Sequence, residues 1–110
     1  MMGEVASIFD GGDVISMGDV QDYVGVIQAA FAIHKDREKI RHGLWKDYPA
    51  ADQCNQVKVK IDRTLRSLEL IAGHPMGDNQ ALQENAVQEL LDIINYANFA
   101  VRLLEGTVGA

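Results

Sequence analysis

The chain has little cysteine, few cations and no long apolar run. Its 110 residues include one cysteine, Cys54, so an internal disulfide cannot form and a zinc-finger site is excluded. Nowhere do about 18 apolar residues follow one another, so no membrane span is expected. Residues 1–16 have neither the basic start nor the apolar core of a signal peptide. These absences predict a protein of the reducing cytoplasm.

Positive charge is scarce relative to negative charge. Lys and Arg number 10 and Asp and Glu 16, which gives a formal net charge of -6. Such a balance argues against a protein that coats nucleic acid, because phosphates are contacted by Lys and Arg. Binding of a single nucleotide, particularly through a divalent cation, is still compatible with it. The hydrophobic share of 47% and the chain length predict one ordinary globular domain.

Several functional motifs are also missing from the sequence. No Gly-rich phosphate loop, Ser-His-Asp signature or helix-turn-helix pattern is visible, and no segment alternates as a strand does. The three histidines, His34, His42 and His74, lie in different segments without i, i+4 spacing. A zinc site built from them is therefore not expected.

The apolar periodicity predicts three long helices. Ser16 followed by Asp19 resembles a capping box, and Gly43 and Gly106 are typical C-terminal stops. The predicted helices run from about Met17 to Arg41, from near Asp52, with Asp52 as the N-cap, to Gly73, and from about Asn79 to Glu105. The predicted domains are a flexible N-terminal arm at residues 1–15 and a single helical domain at residues 16–110.

The faces of these helices predict how they pack. The second helix has an apolar stripe with a period of about 3.6, flanked by polar residues. The stripe is Val57, Ile61, Leu65, Leu68 and Ile71, and the flank is Gln53, Gln56, Lys60, Arg63 and Ser67. In the third helix, 13 of the 19 residues from Ala86 to Leu104 are apolar on nearly every side. We expect an all-α up-down bundle, completed by dimerisation.

Two polar groups are predicted to face solvent. The charged cluster at residues 35–39 ends the first helix and is typical of a solvated face. On the third helix, Gln88, Asn95 and Arg102 form a strip that we also expect to be exposed.

Two carboxylates, Glu89 and Asp92, interrupt the apolar third helix. At about 100° per residue they lie about 60° apart, with Asn85 and Tyr96 on the same side. An ionised carboxylate that is buried without a partner is strongly unfavourable. This pair is therefore expected to meet a cation or to face a wet cleft.

Two interpretations of the pair remain open. In the first, Lys60 and Arg63 of the second helix neutralise Glu89 and Asp92 and only set the helix register. In the second, the two carboxylates bind Mg²⁺, which would hold the phosphates of a nucleotide. A loop with aromatic and basic residues could contribute to such a site through base stacking and a phosphate contact. Its members are His42, Trp45, Lys46 and Tyr48. The alternative, which the residue types favour, is that Trp45 only caps the end of the bundle.

The run from Glu89 to Ala97 resembles the E-x-x-D helix of all-α nucleotide pyrophosphohydrolases of the MazG type. A small phage domain family called nucleotide-modification-associated is more closely similar, over Ile40 to Leu104. The segments that carry this likeness are His42-Gly43-Leu44-Trp45, Asp52-Gln53, Lys58-Val59-Lys60-Ile61-Asp62-Arg63, Leu68-Glu69 and Glu89 to Tyr96. The resemblance implies an all-α fold, a phage context with a host-cytoplasmic protein, and the handling of a nucleotide.

One departure from the MazG pattern bears on the mechanism. Enzymes of that type carry an E-E-x-x-E signature on the earlier helix, which completes their Mg²⁺ site. At the comparable place this chain has Lys58, Lys60 and Arg63. The departure weakens the expectation of two-metal hydrolysis and favours direct phosphate binding or an ion-pair core.

The resulting prediction is a homodimeric helical protein that binds a nucleotide between its second and third helices. Glu89 and Asp92 are the predicted Mg²⁺ ligands, and turnover, if any, would release pyrophosphate from a nucleoside triphosphate. The predicted ligand-binding residues are Lys60, Arg63, Trp45, Lys46, His42, Asn85 and Tyr96. The alternatives are a protein that sequesters nucleotides without turnover and a phage factor that binds other proteins.

Overall fold

The computed structural model describes residues 15–106, which form three long α-helices and one short 3-10 helix. These are α1 at Met17–Arg41, the 3-10 helix at Leu44–Asp47, α2 at Ala50–Gly73 and α3 at Gln80–Glu105. Within residues 15–106 there is no strand, and the predicted all-α class is confirmed. The predicted N-terminal arm lies outside the described residues, except for Ile15.

The helix ends follow local capping chemistry. Ser16 Oγ accepts a hydrogen bond of 3.0 Å from Asp19 N, as expected for the start of α1. Gly106, at a φ of 69°, adopts the left-handed conformation that ends α3. The second helix begins near Asp52 as predicted, but the prediction of Asp52 as its N-cap was wrong, because Pro49 occupies that position. Asp52 N already donates to Pro49 O, so Asp52 lies in the first turn of a helix that begins at Ala50.

The hairpin of α2 and α3 forms the main body of the molecule. A turn at residues 74–79 reverses the chain, and the two helices pack along their length. Helix α1 packs on α3 over a smaller area. Where α1 crosses α3, Asn95 Nδ2 donates a hydrogen bond of 2.8 Å to the backbone oxygen of Ala30. Helix α3 therefore lies centrally, in contact with both other helices.

The least exposed side of α2 combines parts of its polar flank and of its apolar stripe, because Lys60 and Ser67 are half-buried there together with Val57 and Ile71. Gln53 and Thr64 are buried. Ile61, Leu65 and Leu68 of the stripe are instead 38%, 52% and 49% exposed. This orientation is stabilised by charge, because it brings Lys60 and Arg63 of α2 to Glu89 and Asp92 of α3.

The hydrophobic core formed by the described residues is small. Among residues 15–106 the buried hydrophobic residues are Ala30, Ala86, Phe99 and Ala100. Many large apolar side chains of the same region remain exposed on all three helices. No helix in this part of the chain combines the length and the apolar character needed to cross a membrane.

Candidate functional site

Asp92 is the most deeply buried large side chain of the described region and accepts contacts from all three helices. Arg37 Nη1 of α1 lies 2.9 Å from Asp92 Oδ1, and Lys60 Nζ of α2 lies 3.1 Å from Oδ2. Gln88 Nε2 of α3 donates to Oδ1 over 3.3 Å. Each carboxylate oxygen of Asp92 therefore has a cationic partner, which offsets the unfavourable burial of its charge.

Lys60 joins Asp92 to the second carboxylate of the pair. Its Nζ also lies 3.1 Å from Glu89 Oε2, and its side chain is 14% exposed. Arg63 adds a looser contact from the surface, with Nη1 at 3.9 Å from Glu89 Oε1. The four helical residues Lys60, Arg63, Glu89 and Asp92 thus lie together, as their spacing on facing helices predicts. With Arg37 they form what we call the ion network.

The protonation of Lys60 is set by two opposing effects. Burial alone would lower the pKa of the ammonium, because a low dielectric disfavours charge. The contacts and charges of Asp92 and Glu89 outweigh this and raise the pKa above the usual 10.5. Lys60 is therefore charged at neutral pH and acts as the shared counterion of both acids.

In the ion network both carboxylates are paired with cations of the protein. Mg²⁺ at Glu89 and Asp92 would have to displace Lys60 from both acids and Arg37 from one. Within residues 15–106 no three His, Cys, Asp or Glu side chains are grouped closely enough to hold a metal. The geometry matches the interpretation in which cations of the protein neutralise the pair.

A cleft of about 460 Å³ lies beside the ion network, between the end of α1, the 3-10 helix, the start of α2 and α3. This volume is within the usual range for a small-molecule site. Its wall combines two arginines, two acids, carboxamides and aromatic rings. The lining residues include Arg37, Glu38, Arg41, Trp45, Tyr48, Asp52, Gln53, Asn55, Gln56, Asn95, Tyr96 and Phe99.

Two arginines supply the positive charge of the cleft. The guanidinium of Arg37 contacts Asp92 through Nη1, and Arg37 also lines the cleft. Arg41, one turn further along α1, has no ion-pair partner among residues 15–106. A cation of this kind, next to aromatic rings, is a suitable contact for a phosphate or carboxylate.

Two buried carboxamides fix the shape of the cleft. Gln53 Nε2 donates a hydrogen bond of 3.0 Å to the backbone oxygen of Trp45, which ties the 3-10 helix to α2. Asn95, which is 8% exposed, uses its nitrogen to hold α1 at Ala30. Both residues line the cleft and are held by these bonds, so this part of its wall is preformed.

Aromatic rings close one side of the cleft. The ring of Trp45 stacks on Phe99 with a centroid distance of 4.4 Å and an interplanar angle of 12°. The guanidinium carbon of Arg102 lies 4.8 Å from the centre of the Trp45 ring. The Trp45 ring is therefore held in place by its own chain, while Trp45 still forms part of the cleft wall.

His34 packs edge-on against Phe99, with ring centroids 4.9 Å apart. Burial lowers its pKa below the usual 6.5, and although Glu38 raises it, Arg102 lowers it further. The imidazole is thus neutral at pH 7 and adds no charge to the cleft.

The predicted ligand-binding residues fall into three groups. Lys60 and Arg63 belong to the ion network and do not line the cleft. Trp45 and Tyr96 do line it. The remaining three, His42, Lys46 and Asn85, are exposed and lie outside its wall.

Sequence reasoning missed Arg37, Arg41 and Asn95. The charged end of α1 was expected to be fully solvated, yet Arg37 reaches a buried acid. Asn95 was expected on a solvent strip, and that was wrong, because α1 covers it. A signal was available for Arg37, since it follows Ala30 by seven residues and so shares its helix face.

Comparison with protein-family models, with curated proteins and with solved structures finds no match to this chain.

Proposed function

We propose that the chain binds a small nucleotide, of the size of a nucleoside monophosphate, in the cleft beside the ion network. The phosphate would be contacted by Arg37 and Arg41, and the base by the carboxamides and aromatic rings of the wall. The observation that carries the proposal is Arg41, a cation without an acidic partner in the described region, at a preformed cleft with aromatic sides.

The charge of the cleft favours one phosphate over three. Arg37 and Arg41 are matched in number by Glu38 and Asp52, and His34 is neutral. A triphosphate would bring several negative charges to a wall without net positive charge, on a chain whose net charge is -6. A monophosphate needs only the two arginines.

The carboxamides suit recognition of a base. Asn and Gln present a donor and an acceptor side by side, which can pair with the edge of a base. Gln53, Asn55, Gln56 and Asn95 line the same cleft as Tyr48 and Tyr96. Hydrogen bonds from the carboxamides to the edge of a base, and contacts of the tyrosine rings with the face of that base, can therefore form with the same ligand.

Binding without turnover is the form of this function that the geometry supports best. Mg²⁺ at Glu89 and Asp92 stays a prediction, and so does the release of pyrophosphate. Both require Lys60 and Arg37 to leave the carboxylates that they now contact. The phage context and the cytoplasmic location likewise remain expectations that rest on the sequence.

The binding proposal is tested by fluorescence, because Trp45 is the sole tryptophan and lines the cleft. AMP, GMP, CMP and dTMP are titrated in EDTA against the full chain, each beside its triphosphate. We expect at least one monophosphate to change the emission saturably and to bind no more weakly than its triphosphate. Arg41→Ala should weaken that binding roughly tenfold, since hydrogen bonds to charged groups contribute about 1.5–3 kcal/mol.

The matched control is Arg66→Ala, which removes an exposed arginine of α2 that does not line the cleft. It should leave the affinity unchanged. Absence of binding by every nucleotide, or equal loss in Arg41→Ala and Arg66→Ala, would contradict the proposal.

We further propose that the chain is a homodimer. The described region buries four hydrophobic residues and exposes large apolar side chains on every helix. A second copy would cover part of this surface. The second candidate function, binding of another protein, is favoured by the exposed stripe of Ile61, Leu65 and Leu68 on α2. A protein that binds no nucleotide in the titration above would support that candidate.

A further inference from the structure

Two carboxamides of the cleft wall, Gln53 of α2 and Asn95 of α3, are buried polar side chains whose nitrogens are already bonded. They are 3% and 8% exposed, and both line the cleft. Gln53 Nε2 donates to the backbone oxygen of Trp45 over 3.0 Å, and Asn95 Nδ2 donates to that of Ala30 over 2.8 Å. Because a backbone oxygen only accepts, these bonds fix which end of each carboxamide is the nitrogen and which is the oxygen.

The oxygens of the same two carboxamides have no donor of their own. Among residues 15–106 no group donates a hydrogen bond to Gln53 Oε1 or to Asn95 Oδ1. Neither oxygen is sealed from solvent, since Glu89 Oε2 is the one fully buried side-chain atom of this region without a hydrogen-bond partner. Both residues are otherwise enclosed and line the cleft, so a donor can reach their oxygens from there. A donor supplied by a ligand would be favourable, because an acceptor largely removed from water is costly to leave unpaired.

Nucleobases differ in whether they can supply such a donor. The exocyclic amino group of adenine or of cytosine carries two N–H donors. Hypoxanthine and uracil have a carbonyl oxygen at the same position, and that oxygen only accepts. A carbonyl placed against the two amide oxygens would bring acceptors together and leave all of them unpaired. A site that is built to accept from an N–H group rejects an analogue that lacks it.

We propose that Gln53 and Asn95 determine the base specificity of the cleft, by accepting hydrogen bonds from the exocyclic amino group of adenine or cytosine. This inference rests on the nucleotide site proposed above and names the class of base bound there. The two acceptors come from different helices, and each is held by its own bond to the backbone. They therefore cannot turn their nitrogens towards a keto base without losing those bonds.

Pairs of monophosphates that differ at this one position of the base test the preference. AMP is compared with IMP, and CMP with UMP, by calorimetric titration of the full chain in EDTA. In each pair that binds, we expect the amino nucleotide to bind about tenfold more tightly than the keto nucleotide. Equal affinities within the pairs, or tighter binding of the keto member of either pair, would overturn the inference.

Variants of Gln53 separate recognition of the base from support of the cleft. The quantity measured is the ratio of the two affinities within a pair, which a general loosening of the cleft leaves unchanged. Gln53→Met removes the acceptor and should bring the ratio towards one. Gln53→Glu keeps an acceptor oxygen whether it is ionised or protonated, so it should retain the preference.

The matched control is Gln56→Met, which removes an exposed carboxamide that also lines the cleft. It should leave the ratio unchanged. A ratio that persists in Gln53→Met, or that falls equally in Gln53→Met and Gln56→Met, would overturn the assignment of Gln53.

Failure of this inference is distinguishable from failure of the proposed function. Monophosphates that bind without preference within the pairs would remove the base specificity and leave the cleft as a nucleotide site. Absence of binding by all four nucleotides would remove both.

Discussion

Arg37 of α1 reaches across to Asp92 of α3, with Nη1 at 2.9 Å from Oδ1. The same guanidinium forms part of the cleft wall. The buried acid and the candidate ligand site therefore share one side chain. A ligand that draws Arg37 towards a phosphate would act on the contact that holds α1 to the hairpin.

Replacement of Arg37 by Met should lower the free energy of unfolding by about 1–3 kcal/mol. Asp92 would lose one of its two cationic partners but keep Lys60, and Arg37 is partly exposed, so the loss is smaller than for a fully buried pair. Urea denaturation measures it. The control is Lys39→Met, whose contact with Asp36 is highly exposed and should contribute less than about 0.5 kcal/mol. Equal effects of the two variants would contradict a structural role for Arg37.

Replacement of Lys60 by Met should be more severe, at about 3–5 kcal/mol, because two acids lose their shared counterion. If the loss comes from unpaired charge, the triple variant Lys60→Met, Glu89→Gln, Asp92→Asn should recover much of it. The measurement is again the free energy of unfolding in urea. A triple variant less stable than Lys60→Met alone would show that the acids do not need Lys60.

His34 should make the protein less stable as the pH falls below 6.5. Its pKa is lower in the folded chain than the unfolded value of 6.5, so the unfolded chain takes up the proton first. The stabilisation is complete above that value and declines as the pH drops towards the folded pKa. Denaturation at pH 7.5 and pH 5.5 should show a larger loss for wild type than for His34→Gln. Equal losses would contradict the argument.

Asn95→Ala should lower the free energy of unfolding by about 1–3 kcal/mol, since it leaves the backbone oxygen of Ala30 without its side-chain donor. Asn98→Ala serves as control, because Asn98 is exposed on the same helix. Its effect should be within about 0.5 kcal/mol. Matching effects would mean that the bond to Ala30 does not stabilise the crossing of α1 and α3.

Much of the fold could be predicted from local chemistry. Ser16 and the glycines mark helix ends because capping depends on residues next to each other in sequence. The meeting of Lys60 and Arg63 with Glu89 and Asp92 was also predictable, since it needs only helical spacing and two adjacent helices.

The position of α1 could not be predicted in the same way. Its apolar residues occur on all sides, so periodicity does not indicate which face meets α3. The contacts of Arg37 and Asn95 depend on that choice. The rotation of α2 about its own axis could not be predicted either. The ion network turns Lys60 towards α3, and this leaves Ile61 and Leu65 of the apolar stripe exposed.

Calorimetric titration of a nucleoside monophosphate into the protein, in EDTA and then in Mg²⁺, tests the central claim most directly. If Arg37 and Arg41 hold the phosphate while Glu89 and Asp92 are occupied by cations of the protein, the affinity should be the same in both buffers. Glu89→Gln should then bind as wild type does. Binding that requires Mg²⁺ and disappears in Glu89→Gln would contradict the account, and so would the absence of binding in both buffers.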